Sequence, residues 1–179
     1  MAETKGKLPF LGKGVAQVAL VVADLELTVE RYWTQFGIGP WHFYTYERPF
    51  VRQMTRNGEP ADYAMRVALA NVGPTRLELI EQKRGDTVYA EFTRAHGFGV
   101  HHLGVLVDDM ASAIREARLA GYRVTMDGAG FGADGDGHYA YLDTENDLGT
   151  TIELIQRPTR RSPPEKVYPP EAAAGGGET

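Results

Sequence analysis

Two stretches of the chain share one pattern of apolar and polar positions. One is Gln17-Val18-Ala19-Leu20-Val21-Val22-Ala23-Asp24 and the other is His102-Leu103-Gly104-Val105-Leu106-Val107-Asp108-Asp109. Each is an apolar run that opens on a polar side chain, which predicts a buried strand. Each closes on an Asp, whose carboxylate can accept the orphan backbone N–H bonds of a following helix. The helices follow. Val29, Tyr32, Trp33 and Phe36 recur at three- and four-residue steps, as do Met110, Ile114 and Ala117, with Ala113 beside them. Gly37, Gly39 and Pro40 stop the first helix and Gly121 the second. Each half then ends on the same short strand, Leu77-Glu78-Leu79-Ile80 and Ile152-Glu153-Leu154-Ile155.

Between these landmarks, Trp41 to Tyr46 is aromatic and extended. Trp41, Phe43 and Thr45 fall on one face and His42, Tyr44 and Tyr46 on the other. Glu47 to Ala61 is turn-rich, with Pro49, Asn57, Gly58 and Pro60. Asp62 to Ala70 alternates as a strand. In the second half Arg123 to Met126 predicts a short strand, the glycine-rich Asp127 to Gly137 a flexible loop, and His138 to Asp143 a strand. Tyr63-Ala64-Met65 echoes Tyr139-Ala140-Tyr141. The pattern therefore divides the chain into a lead-in (1–14), a βαβββ module (15–84), a linker helix (85–99), a second βαβββ module (100–157) and a flexible Pro/Ala/Gly-rich tail (158–179). A repeat of this length suggests two half-sheets closing on one another, not a solenoid. The fold class is α+β.

Composition narrows the function. At 179 residues the chain can bury a substantial core without crosslinks. It has no cysteine, which excludes disulfides and thiolate metal sites. A net charge of −5 argues against nucleic acid, which favours a concentrated basic face. No apolar run reaches membrane-spanning length, and Met1 to Gly14 lacks the apolar core of a signal peptide. These features lead to the expectation of a cytoplasmic protein.

With its two modules and paired Glu strands, the sequence resembles the vicinal oxygen chelate superfamily over residues 15 to 157. That group includes glyoxalase I, methylmalonyl-CoA epimerase, fosfomycin-resistance proteins, extradiol dioxygenases and bleomycin-binding proteins. The resemblance implies a curved mixed sheet around a metal-binding cavity, with ligands on the first and last strands of each module. Those positions here are Gln17, Glu78, His102 and Glu153. Register with Gln17 selects His102 over His101, which alternation places on the opposite face. One imidazole, two carboxylates and an amide oxygen suit a divalent ion such as Zn, Co, Ni, Mn or Fe. Such an ion can polarise a carbonyl and stabilise an enolate, while Glu153 or Glu78 moves a proton on the adjacent carbon. The small residues Ala19 and Gly104, two positions beyond Gln17 and His102, would leave room for a ligand.

The ligand set is similar to that of the animal-type glyoxalase I, whereas the compact layout and the His-His-Leu-Gly run look more like methylmalonyl-CoA epimerase. That epimerase generally has His where this chain has Gln17. The resemblance thus implies an isomerase or epimerase working through a metal-stabilised enolate on an acyl-CoA. The alternatives are a lactoylglutathione lyase acting on a glutathione adduct and a non-catalytic small-molecule-binding protein. It also implies a homodimer. Either Glu alone would read as the solvent-facing residue of an alternating strand. Their matched places in two repeats favour a site. His138, Tyr44, Tyr63 and Tyr141 are candidate pocket residues, with Trp41 and Tyr46 as further aromatic candidates. Arg48, Arg52 and Arg66 stay unassigned because isolated arginines are usually solvated.

Overall fold

The computed structural model describes residues 5–170. In chain order its elements are β1 (Gln17–Val21), α1 (Leu25–Phe36), β2 (Trp41–Tyr46), β3 (Gln53–Arg56), β4 (Glu59–Pro60), β5 (Ala64–Val72) and β6 (Thr75–Arg84). They continue with α2 (Val88–His96), β7 (Gly99–Leu106), α3 (Met110–Leu119), β8 (Val124–Phe131), β9 (Gly137–Leu142), α4 (Glu145–Leu148), β10 (Thr151–Gln156) and β11 (Lys166–Tyr168). All the strands join one sheet in the order β11-β2-β5-β6-β1-β7-β10-β9-β8-β3-β4. Its central eight strands are β2-β5-β6-β1 followed by β7-β10-β9-β8, the same arrangement reversed about the β1–β7 seam. Each half pairs its first strand in parallel with its last, β1 with β6 and β7 with β10. The two first strands meet antiparallel. This is the α+β fold of paired βαβββ modules around a curved mixed sheet.

Alternation along the strands sorts the side chains. Leu25 and Val29 of α1 pack on Trp41, Phe43, Ala68 and Leu79. Met110, Ala113 and Ala117 of α3 pack on Val105, Ala140, Leu142, Ile152 and Leu154. The opposite, concave face carries Ala19, Tyr44, Val67, Leu69, Ile80, Tyr139 and Tyr141. Both helices start at the expected caps. Asp24 Oδ1 accepts from the Leu27 N–H at 2.9 Å and Asp109 Oδ1 from the Ser112 N–H at 2.7 Å.

Several stretches differ from the sequence expectation, each for a local reason. The turn-rich segment after β2 contains the β3–β4 hairpin, and β3 pairs with β8 of the other half. Arg56 holds it there, donating to the Thr125 carbonyl at 2.7 Å and pairing with Glu91 and Asp86. The glycines from Gly128 onward do not all mark a loop, since β8 continues to Phe131. A Cβ on Gly128 would sit 2.3 Å from the Tyr139 hydroxyl and one on Gly137 2.5 Å from the Phe131 ring. Both glycines make room for aromatic neighbours.

The expected tail is pinned as far as Pro170. Thr159 bonds Asp136 through its N–H at 3.0 Å, Arg160 pairs with Asp134, and β11 adds to the β2 edge. The remainder of that tail, 171–179, lies outside the described residues. In the lead-in, Phe10 is buried in the core of the second half, and residues 1–4 lie outside the described range. Replacing the α1 cap, Asp24→Ala, is expected to lower stability by about 1 kcal/mol, read as a reduced urea midpoint at unchanged slope.

Candidate metal centre

Four central strands carry the candidate ligands. Gln17 opens β1, Glu78 lies in β6, His102 in β7 and Glu153 in β10. All four are buried, His102 completely. Glu78, His102 and Glu153 bring one donor atom each to within 4.8 Å of one another. His102 Nε2 lies 3.1 Å from Glu153 Oε2 and 3.5 Å from Glu78 Oε2, and it has no aligned hydrogen-bond partner among the described residues. The strand glutamates therefore do not face solvent. Alternation sends Leu77, Leu79, Ile152 and Leu154 towards the helices and leaves both carboxylates on the concave side.

Gln17 reaches the same cluster with its amide turned opposite to the expected ligand orientation. Its Nε2 donates to Glu78 Oε2 at 2.8 Å and to Glu153 Oε2 at 2.9 Å. Its Oε1 accepts from Arg76 Nε at 2.6 Å. With the guanidinium occupying the amide oxygen, Gln17 acts as a brace between the carboxylates. The facing donors are the two carboxylates and the imidazole.

His101 is buried as well. Opposite β7, the register of β1 steps from Ala19–His102 to Leu20–Val100 and leaves His101 as an extra residue. A bulge of this kind re-aims its side chain, and the His101 and His102 Nδ1 atoms lie 2.8 Å apart. Burial, reinforced by His102, holds His101 far below its usual value, at about 2, so it stays neutral. Neutral His101 can accept the His102 Nδ1–H, which leaves His102 Nε2 directed at the carboxylates.

Gly104 has a different use from the one expected. A Cβ there would lie 2.6 Å from Ile155 Cδ1, 2.8 Å from Gln17 Cβ and 3.2 Å from Glu153 Oε2. Its missing side chain lets the two ligand strands converge; it does not leave space for a ligand.

A cavity opens above the cluster, walled by Tyr44, Tyr46, Phe50, Phe131, Tyr139 and Tyr141. Of the candidate pocket residues, Tyr44 and Tyr141 line it. Tyr63 instead stands behind the wall, with its hydroxyl 3.0 Å from that of Tyr139 and donating to the Asp127 carbonyl at 2.6 Å. His138 is not in the cavity. Alternation along β9 turns Tyr139 and Tyr141 inward and His138 outward, where it lies 3.0 Å from Asp127 Oδ2. Trp41 is core against α1. Arg66 pairs with Glu26, and Arg48 donates to the Arg52 carbonyl. Sequence reasoning missed Arg76, Arg157 and Arg161, which also line the cavity. Only Arg76 had a signal, since it stands two residues before Glu78 on one strand face.

The amino-acid sequence of residues 16–141 matches the family model described as Glyoxalase/Bleomycin resistance protein/Dioxygenase superfamily. The chain belongs to this superfamily. No curated protein matches it. Solved structures with the same fold include a variant methylmalonyl-CoA epimerase of Streptomyces coelicolor in complex with 2-nitronate-propionyl-CoA. It is 22% identical, with 83% of this chain and 97% of that one covered and a TM-score of 0.61. The methylmalonyl-CoA epimerase of Mycobacterium tuberculosis is 21% identical, covering 84% and 89%, with a TM-score of 0.59. A hypothetical protein from Bacillus halodurans C-125 is 17% identical, covering 83% and 97%, with a TM-score of 0.57.

The superfamily typically binds a divalent metal, and the cluster here fits one. Two buried carboxylates facing an unpartnered imidazole nitrogen require positive charge between them. The protonation tendencies agree. Burial lowers the His102 pKa, but Glu153 and then Glu78 outweigh it and raise the imidazole to about 9. Burial also pushes the Glu78 carboxyl up, against the opposing pull of His102. Glu78, His102 and Glu153 would supply three ligands and leave further positions open, the arrangement of a catalytic site.

Two substitutions test this construction. His101→Phe keeps the ring packing but removes the acceptor, and is expected to weaken Zn²⁺ or Co²⁺ binding about 10–100-fold by calorimetry. Gly104→Ala forces a Cβ against Ile155, Gln17 and Glu153, and is expected to cost about 1–3 kcal/mol in chemical denaturation.

Proposed function

We propose that this protein is a divalent-metal-dependent epimerase that moves a proton on the carbon next to a carbonyl, in the manner of a methylmalonyl-CoA epimerase. The observation that carries this reading is the pair of buried carboxylates. Glu78 and Glu153 come from equivalent strands of the two halves, and each brings a carboxylate oxygen close to His102 Nε2, at 3.5 and 3.1 Å. Stereochemical inversion needs a base on one face of a carbon and an acid on the other. One carboxylate takes the proton, the C–H electron pair becomes the enolate, and the opposite carboxyl returns a proton to the other face.

Glu78, His102 and Glu153 would hold a divalent ion, which would supply Lewis acidity at the substrate carbonyl. The chain's own residues do the remainder. Gln17 positions the two carboxylates by donating from one amide nitrogen to both. The aromatic wall screens the reacting carbon from water, which strengthens every charge interaction inside. The methylmalonyl-CoA epimerases that share the fold support an acyl-CoA thioester as substrate class. A glutathione-adduct lyase would use the same proton chemistry.

The test is solvent exchange. Protein loaded in turn with Zn²⁺, Co²⁺, Ni²⁺ or Mn²⁺ is incubated with methylmalonyl-CoA in D₂O. Deuterium is expected at the carbon between the two carbonyl groups, followed by NMR. Exchange should stop on chelation and fall about 10²–10⁴-fold in Glu153→Gln. Absence of exchange with every ion overturns the epimerase reading. Ligand binding that survives both chelation and Glu78→Ala would instead favour a binding protein.

A further inference from the structure

Three arginines meet at the mouth of this cavity. Arg76 comes from β6, and Arg157 and Arg161 from the segment that follows β10. Among the described residues none of the three lies within 4.0 Å of a carboxylate, and all three line the same cavity. An unneutralised cationic cluster is unusual in a chain with net charge −5. It is also built. The segment bearing Arg157 and Arg161 is clamped between them, with Thr159 held on Asp136, Arg160 on Asp134, and the Ala133 N–H donating to the Arg160 carbonyl at 2.9 Å. Pro158 fills the space left by Gly132.

The guanidiniums sense one another and the same wall. Burial, then Arg76 and Arg161, holds Arg157 below the usual arginine value. Arg161 and Arg76 both pull against the burial that raises the Tyr44 hydroxyl. Arg76 spends its Nε on Gln17, so its terminal nitrogens remain for a ligand. Gln17 in turn touches both carboxylates, so the cationic mouth stands one side chain from the proposed metal.

We propose that the cavity takes an anionic substrate whose carboxylate or phosphate is held by Arg76, Arg157 and Arg161, with its carbonyl at the Glu78–His102–Glu153 centre and its apolar portion against the aromatic wall. The guanidinium fork suits planar or tetrahedral oxyanions equally. The chemistry assigned to the centre rests on the epimerase reading; the anion site does not.

The test is calorimetric titration of the full-length protein with inorganic phosphate and, separately, with malonate, at constant ionic strength set by chloride. Saturable binding of at least one anion is expected. Arg157 and Arg161 are exposed, so Arg157→Gln and Arg161→Gln should fold normally. Each is expected to weaken binding about tenfold, the size of one charge-assisted contact. The double variant should lose saturable binding. Stronger phosphate binding would assign the mouth to a phosphoryl group, and stronger malonate binding to a carboxylate near the reacting carbon. No saturable binding in the native protein, or equal binding in the double variant, overturns the proposal. Arginine-dependent binding without deuterium exchange would remove the epimerase reading and keep the anion site. Exchange without anion binding would do the reverse.

Discussion

The antiparallel seam between β1 and β7 sets the register on which the site depends. It pairs Gln17 with Gly104 and Ala19 with His102. Through the parallel pairs β1–β6 and β7–β10 it then fixes where Glu78 and Glu153 stand. A slip of one residue anywhere in this set would turn a ligand to the helix side, because side chains alternate at every step. Gly104 makes the seam possible at that height. Any side chain there would collide with Gln17, Ile155 and Glu153. The bulge at His101 is the one irregularity in the seam, and it brings a second, neutral imidazole to the back of His102.

The charge placed at this seam has a cost that the surrounding residues partly offset. Two carboxylates are buried on one face, and among the described residues neither pairs with an arginine or lysine. Gln17 satisfies one oxygen of each, and Arg76 fixes which way the amide points. The remaining negative charge is not neutralised by side chains alone, and Glu153 and Glu78 raise the His102 pKa against its burial. A divalent ion would satisfy the same demand. The chemistry of the site follows from this imbalance, since groups that compete for protons and cations are also groups that can transfer them.

Two edge segments tie the halves together beside the cavity. The hairpin β3–β4 leaves the first half and pairs at the edge of the second, and β11 returns from the second half to the edge of the first. These exchanges cover the two outer strands, β2 and β8, which would otherwise present unpaired backbone. They also bring Phe50 and Phe131 into one aromatic wall and set Arg157 and Arg161 at its rim.

Much of this was legible in the sequence, and the division has a physical basis. Period and capping are local, so the repeats, both Asp caps and the strands bearing Gln17, Glu78, His102 and Glu153 could be read directly. Matched positions in the repeats also singled out the acidic pair that an isolated strand would have hidden. Where local pattern was ambiguous the reading failed. Glycines that accommodate Tyr139 and Phe131 looked like a loop, and residues 158–170 looked like a tail because their partners are distant in sequence. Likewise, Arg157 and Arg161 had no signal, because their convergence on Arg76 exists only once the last strand has returned beside β7. The sequence by itself determined which side chains share a face. Only the tertiary structure decided which faces meet, that Gln17 turns its amide nitrogen to the carboxylates, and that three arginines guard the opening, because these depend on contacts between strands that no local period encodes.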